Sequence, residues 1–399
     1  MLSDLLVLEL ASVLAGPSVG QFFAEQGATV LKIENPRTGG DVTRRWRVPG
    51  ASETDSGAHA SDDRSAYFCC CNHGKRSLAL DLASEDGRAL LHKLVQEADL
   101  VLSSFRPGTA QALGADYETL AALRSGLLYG HITGYGPEHP RAGYDAVLQA
   151  ETGFMHLNGA ADGPPTKLPV ALMDVLAAHH LKEALLLALL RRERTGAGAY
   201  VPVSLQQAAV SGLANQATNW LVGEHNPQRM GSAHPNIAPY GTAYTTADGA
   251  AIVLAVGTDR QFARLCAVLG CPDLASHDAY ATNAARVNHR EALDATLRER
   301  MVEQEAAPLL AALQEQHVPA GRVRDLPEVF AQPGAHAMTL RPVDAPMGLR
   351  QLASPAFPPD DNLLPPPHYA VHTDAILREH LGMSAAERDA LTRAGVVHR

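Results

Sequence analysis

Short apolar runs that alternate with helix-forming segments constrain the fold of the first 205 residues more than any other feature. Residues 5–10 and 28–34 are compact apolar runs, typical of buried parallel strands, and a small-residue turn and a helical pattern separate them. The alternation continues through strand-like runs at 72–82, 99–105 and 127–133. This spacing predicts an α/β domain with a Rossmann-like, mostly parallel sheet. Ligands of such sheets bind beyond the carboxyl ends of the strands.

The 399 residues are enough for two domains. A helical stretch after residue 205 and a proline-rich stretch at 330–367 suit connections between them. We therefore predict a large domain, a smaller α+β domain and two linkers. In order, these are 1–205 (large domain, first part), 206–229 (linker), 230–325 (small domain), 326–354 (linker) and 355–399 (return to the large domain).

Composition excludes several classes of protein. A formal net charge of -10 argues against a nucleic-acid partner. The start, MLSDLLVLELAS, lacks the basic region of a signal peptide, and the apolar stretch at 181–190 is too short for a membrane helix. The five cysteines form no CxxC pair, and H-E-x-x-H is absent, so neither disulfides nor a metal are expected. These features predict a cytoplasmic protein with no membrane partner.

One carboxylate stands out at the start of the longest helical run. A turn-rich loop from residue 162 leads to Asp174, and a helix is predicted from 175 to 194, ended by Gly196 and Gly198. An aspartate directly before a helix is an N-cap, and the helix dipole favours its ionised form. Capping alone is the more frequent role of such a residue. A nucleophilic carboxylate is the alternative.

The first strand–turn–helix unit predicts the kind of ligand. Glu34 ends the second strand, as the ribose-binding acid of a dinucleotide site does, but the turn AGPSVG lacks the G-x-G-x-x-G pattern. Another nucleotide-bearing ligand is therefore expected. Arg44, Arg45 and Arg47 surround Trp46 and are either solvated loop residues or an anion-binding cluster.

Several longer stretches carry a family resemblance that runs almost end to end. They are LAGPSVGQFFAEQGATVLKIENP, NHGKRSLALDL, ADLVLSSFRPG, ITGYG, AGYDAVLQAETGFMHLNG, MDVLAAHH and RTGAG. Together they resemble the class III (CaiB/BaiF-type) coenzyme A transferases. The stretches ITGYGPEHPRAGYDAV and GSAHPNIAPYG are most similar to the succinate–hydroxymethylglutarate (glutarate) CoA-transferase type.

The resemblance implies an activity and an assembly. Asp174 matches the family's catalytic aspartate, whose carboxylate attacks an acyl-CoA thioester and forms an aspartyl–acyl anhydride and then an aspartyl-CoA thioester. The implied reaction moves CoA, the only cofactor expected, from an acyl-CoA such as succinyl-CoA to a free dicarboxylic acid. The family also implies an interlocked homodimer.

The same resemblance assigns binding residues. The family's CoA contacts match Leu14, Ala15, Asn35, Arg37, Lys75, Leu80, Asp81, Leu82, Ala83, Ser104, Phe105, Arg106, Thr133, Gly134, Tyr135 and Gly136. The substrate side matches a glycine loop with Gly231, Ser232 and His234, and Arg44 is the candidate for the distal carboxylate. The chain departs from the family at Asn35 and Ala112, where a basic residue and an arginine are usual.

Two other functions stay open at this point. A 2-methylacyl-CoA racemase on the same fold would need a base pair around the α-carbon, and Tyr144 stands where the racemases carry a histidine. A catalytically silent CoA-binding regulator is the second alternative, and the presence of Asp174 argues against it.

Overall fold

The computed structural model describes residues 1–49 and 62–399, which divide into two compact units. The first unit comprises Met1–Thr152, Pro169–Leu213 and His336–Arg399, and the second comprises Gly153–Leu168 and Ala214–Ala335. Residues 153–168 thus belong to the second unit, although the sequence pattern placed them in the large domain. Each predicted linker, 206–229 and 326–354, is divided between the two units.

Hydrogen bonds explain why residues 153–168 belong to the second unit. Gly231 N–H donates to Gly159 O at 3.1 Å, and the Arg229 guanidinium donates to Gly163 O and to His156 O. These bonds join segments about 70 residues apart, which a local pattern cannot reveal.

The strands are short, as is usual for a twisted sheet. In chain order the described strands are β1 (Leu6–Leu10), β2 (Thr29–Glu34), β3 (Lys75–Leu80), β4 (Leu100–Ser103), β5 (Leu128–Thr133), β6 (Ala199–Ser204), β7 (Tyr240–Thr245), β8 (Ala251–Ala255), β9 (Ala320–Arg322), β10 (Thr339–Leu340), β11 (Gly348–Leu349) and β12 (Val397–His398).

Most of the helices are short connections, and one is long. The described α-helices are α1 (Ala15–Glu25), α2 (Ala66–Cys69), α3 (Glu85–Val95), α4 (Thr109–Ala112), α5 (Tyr117–Ala121), α6 (Asp145–Glu151), α7 (Phe154–Leu157), α8 (Leu172–Thr195), α9 (Leu205–Gly212), α10 (Ala214–Gly223), α11 (Asp259–Val268), α12 (Asn283–Asn288), α13 (Arg290–Met301), α14 (Ala306–Glu315), α15 (Leu326–Phe330), α16 (Pro333–His336), α17 (Thr373–Leu381) and α18 (Ala385–Arg393). Short 3-10 turns lie at Pro36–Thr38, Val42–Arg45 and Pro272–Ser276.

A seven-stranded sheet forms the centre of the first unit. Its strand order is β12-β3-β2-β1-β4-β5-β6, and all neighbours are parallel except β12, which runs antiparallel to β3. The chain passes from β1 outward to β2 and β3 and then returns to β4 on the other side of β1. The order therefore reverses between β1 and β4, where a sheet of this kind binds its ligand. The predicted Rossmann-like, mostly parallel sheet is confirmed.

Burial of apolar side chains on both faces of the sheet explains its composition. Val7, Leu8, Leu31 and Leu100 are completely buried, and one core cluster extends from β1 to the C-terminal segment, where Val397 is also buried. Each such side chain contributes about 1.5–3 kcal/mol to the free energy of folding when it leaves water.

The second unit has its own antiparallel sheet and its own core. The sheet order is β7-β8-β9, and α11, α13 and α14 contribute to a core that includes Tyr244, Ile252, Phe262 and Leu297. This arrangement is α+β.

In the part of the chain that the structure describes, no helix combines the length and the apolar character that a bilayer crossing needs.

Candidate functional site

A cavity of about 620 Å³ lies beyond the carboxyl ends of β1, β4 and β5, at the point where the strand order reverses. Its walls come from the first unit: the turn after β1, the loops after β4 and β5, the starts of α8 and α9, and an aromatic wall that precedes β3. The wall residues include Val13, Ala15, Trp46, Tyr67, Ser104, Phe105, Arg106, Thr133, Gly134, Arg141, Gly143, Tyr144, Asp145 and Asp174.

Asp174 lies inside the first turn of α8, so the expectation that it is the N-cap is wrong. The helix begins at Leu172, and Ala171 occupies the cap position without a side-chain cap. Asp145 supplies the acceptor instead, because its Oδ1 accepts the Met173 N–H at 2.9 Å. Its Oδ2 accepts from Gln149 Nε2 at 2.7 Å. Asp174 therefore does not cap the helix, and its carboxylate lines the cavity.

The surroundings of Asp174 oppose its ionisation. Burial raises its pKa to about 7, and the neighbouring Asp145 carboxylate adds to this effect. One hydrogen bond, from the Ala15 backbone N–H, lowers the pKa. The helix dipole was expected to favour the ionised form, but burial and the Asp145 carboxylate outweigh it and raise the pKa. A group that titrates near neutral pH in a cleft is characteristic of a functional site.

The turn between β1 and α1 has an unusual backbone at the cavity wall. Val13 has φ 74°, a left-handed conformation that is rare for a β-branched residue. Gly16 lies so close to Ala11 that a Cβ on the glycine would come within 2.3 Å of the alanine Cβ. The left-handed conformation of Val13 costs about 1–3 kcal/mol and persists because the surrounding structure enforces it.

Two glycines bring the loops beyond β5 into contact. A Cβ added to Gly134 would lie 2.5 Å from the Cα of Gly143, and one added to Gly143 would lie 2.2 Å from the Cα of Gly134. Thr133 Oγ1 also accepts the Gly136 N–H at 3.1 Å. Close backbone approach thus shapes this wall of the cavity.

Cationic groups lie at the rim. Arg141 donates to Glu151 at 2.7 Å and covers the ring of Tyr135, whose hydroxyl donates to the other Glu151 oxygen at 2.7 Å. Arg106 is exposed, and its guanidinium has no ion pair or hydrogen bond among the described residues. Arg106 is therefore free to bind an anionic ligand.

The structure brings many of the predicted residues to one edge of the sheet. Those that line the cavity are Ala15, Ser104, Phe105, Arg106, Thr133, Gly134 and Asp174. Others lie just after strands at the same edge without lining it: Asn35 and Arg37 after β2, Asp81, Leu82 and Ala83 after β3, and Tyr135 and Gly136 after β5. Leu80 is the last residue of β3, and Leu14 precedes α1. Arg37 and Asp81 form an ion pair at 2.7 Å.

Arg44 and Lys75 do not reach the cavity. Arg44 is 3% exposed and donates to both oxygens of Glu34 and to Asp63. Lys75 is fully buried, with its Nζ 2.7 Å from Glu9 Oε2. Their charges are therefore occupied inside the protein, a state that local sequence could not indicate.

The remaining assignments lie elsewhere in the fold. Gly231, Ser232 and His234 belong to the second unit, where the His234 N–H donates to Tyr240 O at 3.0 Å. Ala112 ends α4.

Sequence reasoning gave no role to several residues of the cavity wall. Trp46 packs edge-on against Tyr67 with ring centroids 5.0 Å apart, and both line the cavity. Asp145 lies in the AGYDAV stretch, and the sequence pattern assigned it no function. A short aromatic segment and an acid at a helix start are weak signals, because each is common without a ligand.

Metal ligation has one geometric candidate outside the cavity. Asp62, Asp63 and His368 hold possible ligand atoms within 4.8 Å of one another. Arg64 pairs with Asp62 and Arg44 with Asp63, so these carboxylates already have counter-ions. The described cavity instead offers two carboxylates, backbone donors and an unpaired guanidinium, which suit acyl transfer on an anionic substrate.

Comparison with known proteins agrees with this chemistry. The family model described as CoA-transferase family III matches residues 2–372. The chain is 41% identical over 343 residues to a succinate–glutarate CoA-transferase of Agrobacterium fabrum, covering 85% of this chain and 84% of that protein. It is 32% identical over 400 residues to the human succinyl-CoA:glutarate CoA-transferase, covering 98% and 88%.

A solved structure shares the fold. The crystal structure of a CaiB/BaiF family protein from Brucella suis superimposes with a TM-score of 0.79 at 40% sequence identity, covering 95% of this chain and 99% of that one. With a family match along most of its length and relatives above 30% identity, the chain belongs to CoA-transferase family III and is a CoA-transferase.

Proposed function

We propose that the enzyme moves CoA from succinyl-CoA to a free dicarboxylic acid, with Asp174 as the covalent nucleophile. The observation that carries this proposal is a half-buried carboxylate with a pKa of about 7 on the wall of the cavity at the reversal of strand order. The named activities of the Agrobacterium and human relatives support succinyl-CoA as donor and glutarate as an acceptor.

The reaction proceeds by four exchanges that balance without a redox partner. The Asp174 carboxylate attacks the thioester carbon, and CoA leaves as thiolate from an aspartyl–acyl anhydride. The thiolate attacks the aspartyl carbonyl, which gives an aspartyl-CoA thioester and releases the donor acid. The acceptor carboxylate then attacks this thioester and forms a second anhydride with loss of thiolate. Finally the thiolate attacks the acceptor's acyl carbon and restores the Asp174 carboxylate.

The cavity supplies the requirements of these steps. Asp174 reacts as the ionised form, which its pKa of about 7 makes available at and above neutral pH. The Ala15 N–H orients the carboxylate, and Arg106 at the rim suits the phosphate groups of CoA. We propose the remaining sheet-edge residues as further CoA contacts. The assignment of the acyl side to Gly231, Ser232 and His234 stays a prediction from the resemblance.

Trapping tests the covalent step. Acyl-CoA with hydroxylamine should convert Asp174 to its hydroxamate, seen as a mass shift of one peptide that depends on acyl-CoA. Asp174→Asn should lose the shift and lower kcat at least 1,000-fold, roughly the loss seen when a nucleophile is removed. Full transferase activity in Asp174→Asn would overturn the mechanism.

A panel of acids tests the substrate class. Succinyl-CoA paired with glutarate, hydroxymethylglutarate, itaconate, malate or oxalate should give the highest kcat/KM for a dicarboxylate of four to six carbons. Transfer only to monocarboxylates would contradict the proposed acceptor class.

The Asp145–Asp174 pair gives one reason to test racemisation, since two carboxylates line one cavity. Such a pair can remove and return an α-proton. Incubation of a 2-methylacyl-CoA in D2O separates the two functions, because a transferase leaves the α-carbon unlabelled. Deuterium at the α-carbon would favour the racemase.

A further inference from the structure

A cluster of buried charges lies directly beneath the strained turn of the cavity. Lys32 and Lys75 are 1% and 0% exposed, and the Glu9 carboxylate lies between them. Glu9 Oε1 is 2.9 Å from Lys32 Nζ, and Glu9 Oε2 is 2.7 Å from Lys75 Nζ. Asp41 is the second partner of Lys32, at 2.9 Å. The cluster contains two positive and two negative groups, so its charges balance.

The two ammonium groups donate hydrogen bonds to backbone carbonyls on either side of the turn. Lys32 Nζ donates to Ala11 O at 3.1 Å, and Lys75 Nζ donates to Pro17 O at 2.8 Å. Between these carbonyls lies the turn with Val13 at φ 74°. Hydrogen bonds from charged donors are stronger than those between neutral groups. They therefore stabilise the left-handed conformation of Val13.

Two further contacts hold the strained residue itself. Val13 N–H donates to Asp41 Oδ1 at 3.5 Å, and the Cys71 thiol donates to Val13 O at 3.5 Å. Asp41 thus joins the lysine cluster to the turn directly.

Helix α1 leaves room for the cluster at Gly20. A Cβ on Gly20 would lie 1.8 Å from Glu9 Oε2 and 3.2 Å from Lys75 Cε. Glycine is less favourable than alanine in the middle of a helix, and the space that Gly20 leaves is filled by the Glu9 carboxylate.

The turn leads directly into Ala15, the first residue of α1, which lines the same cavity as Asp174. Among the described residues, the Ala15 backbone N–H is the one group of the protein that lowers the pKa of the Asp174 carboxyl. We infer that the buried Glu9–Lys32–Lys75–Asp41 cluster positions the Ala15 amide, and through it the Asp174 carboxylate, for reaction. These four residues are positioning residues, and the inference rests on the proposed role of Asp174.

A charge-balanced double variant tests the inference. Glu9→Gln with Lys75→Met removes one ammonium and one carboxylate, and it leaves the Lys32–Asp41 pair in place. Removing opposite charges together avoids an unpaired buried charge, which is the costly outcome. Asp99→Asn with Arg192→Met is the matched control. That pair lies 3.2 Å apart near the amino end of β4, on the edge of the sheet away from the cavity.

The readouts separate positioning from folding. Loss of the Ala15 hydrogen bond raises the pKa of Asp174, so the acid limb of kcat/KM against pH should move up by about half a unit to one unit. The kcat for glutarate with succinyl-CoA should fall about tenfold with KM within about twofold. The control variant should have the same kcat and the same acid limb as the wild-type enzyme, even if its melting temperature changes.

Other charges facing Asp174 stay the same in both variants. The groups that line its cavity are Asp145, Tyr67, His139, Arg106 and Arg141. Burial lowers the pKa of Lys75, and Glu9 opposes that change, so both groups are removed together in the test.

The outcomes distinguish this inference from the proposed function. Unchanged kcat and an unmoved acid limb in the double variant, with hydroxylamine trapping at Asp174 intact, would overturn the inference alone. Absence of trapping in the wild-type enzyme would overturn the proposed function. If the double variant does not fold, Gly20→Ala is the second test. Alanine is favourable in a helix, and its Cβ displaces the Glu9 carboxylate. This variant should move the acid limb up by the same amount. No shift in Gly20→Ala would then decide against the inference.

Discussion

Asp174 is held in a state that favours its neutral form, although its proposed chemistry needs the charged form. In the unfolded chain an aspartate loses its proton near pH 4, and here burial and Asp145 raise the pKa to about 7. The folded state therefore binds a proton more tightly than the unfolded state between these values. Stability contributed by that proton is lost as pH rises through about 7. The raised pKa of Asp174 thus costs the fold some stability at neutral pH.

Asp174→Asn should make the protein more stable, by an amount that grows with pH. The amide stays neutral, so the variant avoids the cost of a buried charge. We expect the free energy of unfolding to exceed that of the wild-type enzyme by about 1–2 kcal/mol at pH 8 and by less at pH 5. Denaturant titrations at pH 5, 6, 7 and 8 measure the difference.

The matched control for this measurement is Asp361→Asn, a change at an exposed aspartate of the same unit. It should leave the difference near zero throughout. A stability gain that is equal at pH 5 and pH 8 would contradict the role of the proton.

The sequence indicated Asp174 but not its protonation state or its place in the helix. Asp174 is predicted from its position before a helical run, yet the helix begins at Leu172 because Asp145, 28 positions before Met173, accepts the Met173 N–H. Arg44 and Lys75 were expected at the ligand, and the fold pairs them with Glu34 and Glu9 instead. Burial and partners of charged groups depend on contacts between distant segments, so spacing alone could not reveal them.

The loops that follow β5 depend on two glycines that have no room for a side chain. Gly134→Ala places a Cβ 2.5 Å from the backbone of Gly143, and neither atom belongs to a flexible side-chain end. The wall formed by residues 133–145 must therefore shift. We expect kcat/KM to fall at least tenfold and stability to fall by about 1–3 kcal/mol. Steady-state kinetics and denaturant unfolding measure both effects.

Gly257→Ala provides the comparison, since its Cβ would have one neighbour, at 3.8 Å. This change should leave kcat/KM within about twofold of the wild-type value. Equal activity in Gly134→Ala and Gly257→Ala would show that the contact between the loops is dispensable.

Elements with strong local patterns were predicted and elements made by distant pairing were not. The runs at 5–10, 28–34 and 127–133 match β1, β2 and β5 within one residue at each end. Completely buried parallel strands carry continuous apolar runs, which explains this agreement. The two-residue strand β12 was missed, because its only basis is pairing with β3 more than 300 positions away.

The proposed CoA contacts lie at one edge of one sheet, although they come from distant parts of the chain. This follows from parallel strands, whose carboxyl ends all point the same way. The division of the chain was less predictable, since residues 153–168 pack with Arg229 and Gly231 and so leave the large unit. A pattern that is read along the chain cannot detect such an exchange.

Hydrogen exchange with bound CoA should report this convergence directly. A ligand in the cavity protects backbone amides that it covers, so protection should rise in peptides that contain residues 11–16, 104–107, 133–145 and 171–176. Peptides from the opposite edge of the same sheet, such as 96–99 and 124–127, serve as internal controls and should exchange as before. Because neighbouring segments among these four are separated by up to about 90 residues, their joint protection requires the parallel sheet and its reversal between β1 and β4. Protection at the amino edge, or at only one of the four segments, would place CoA elsewhere and remove the basis for attack by Asp174.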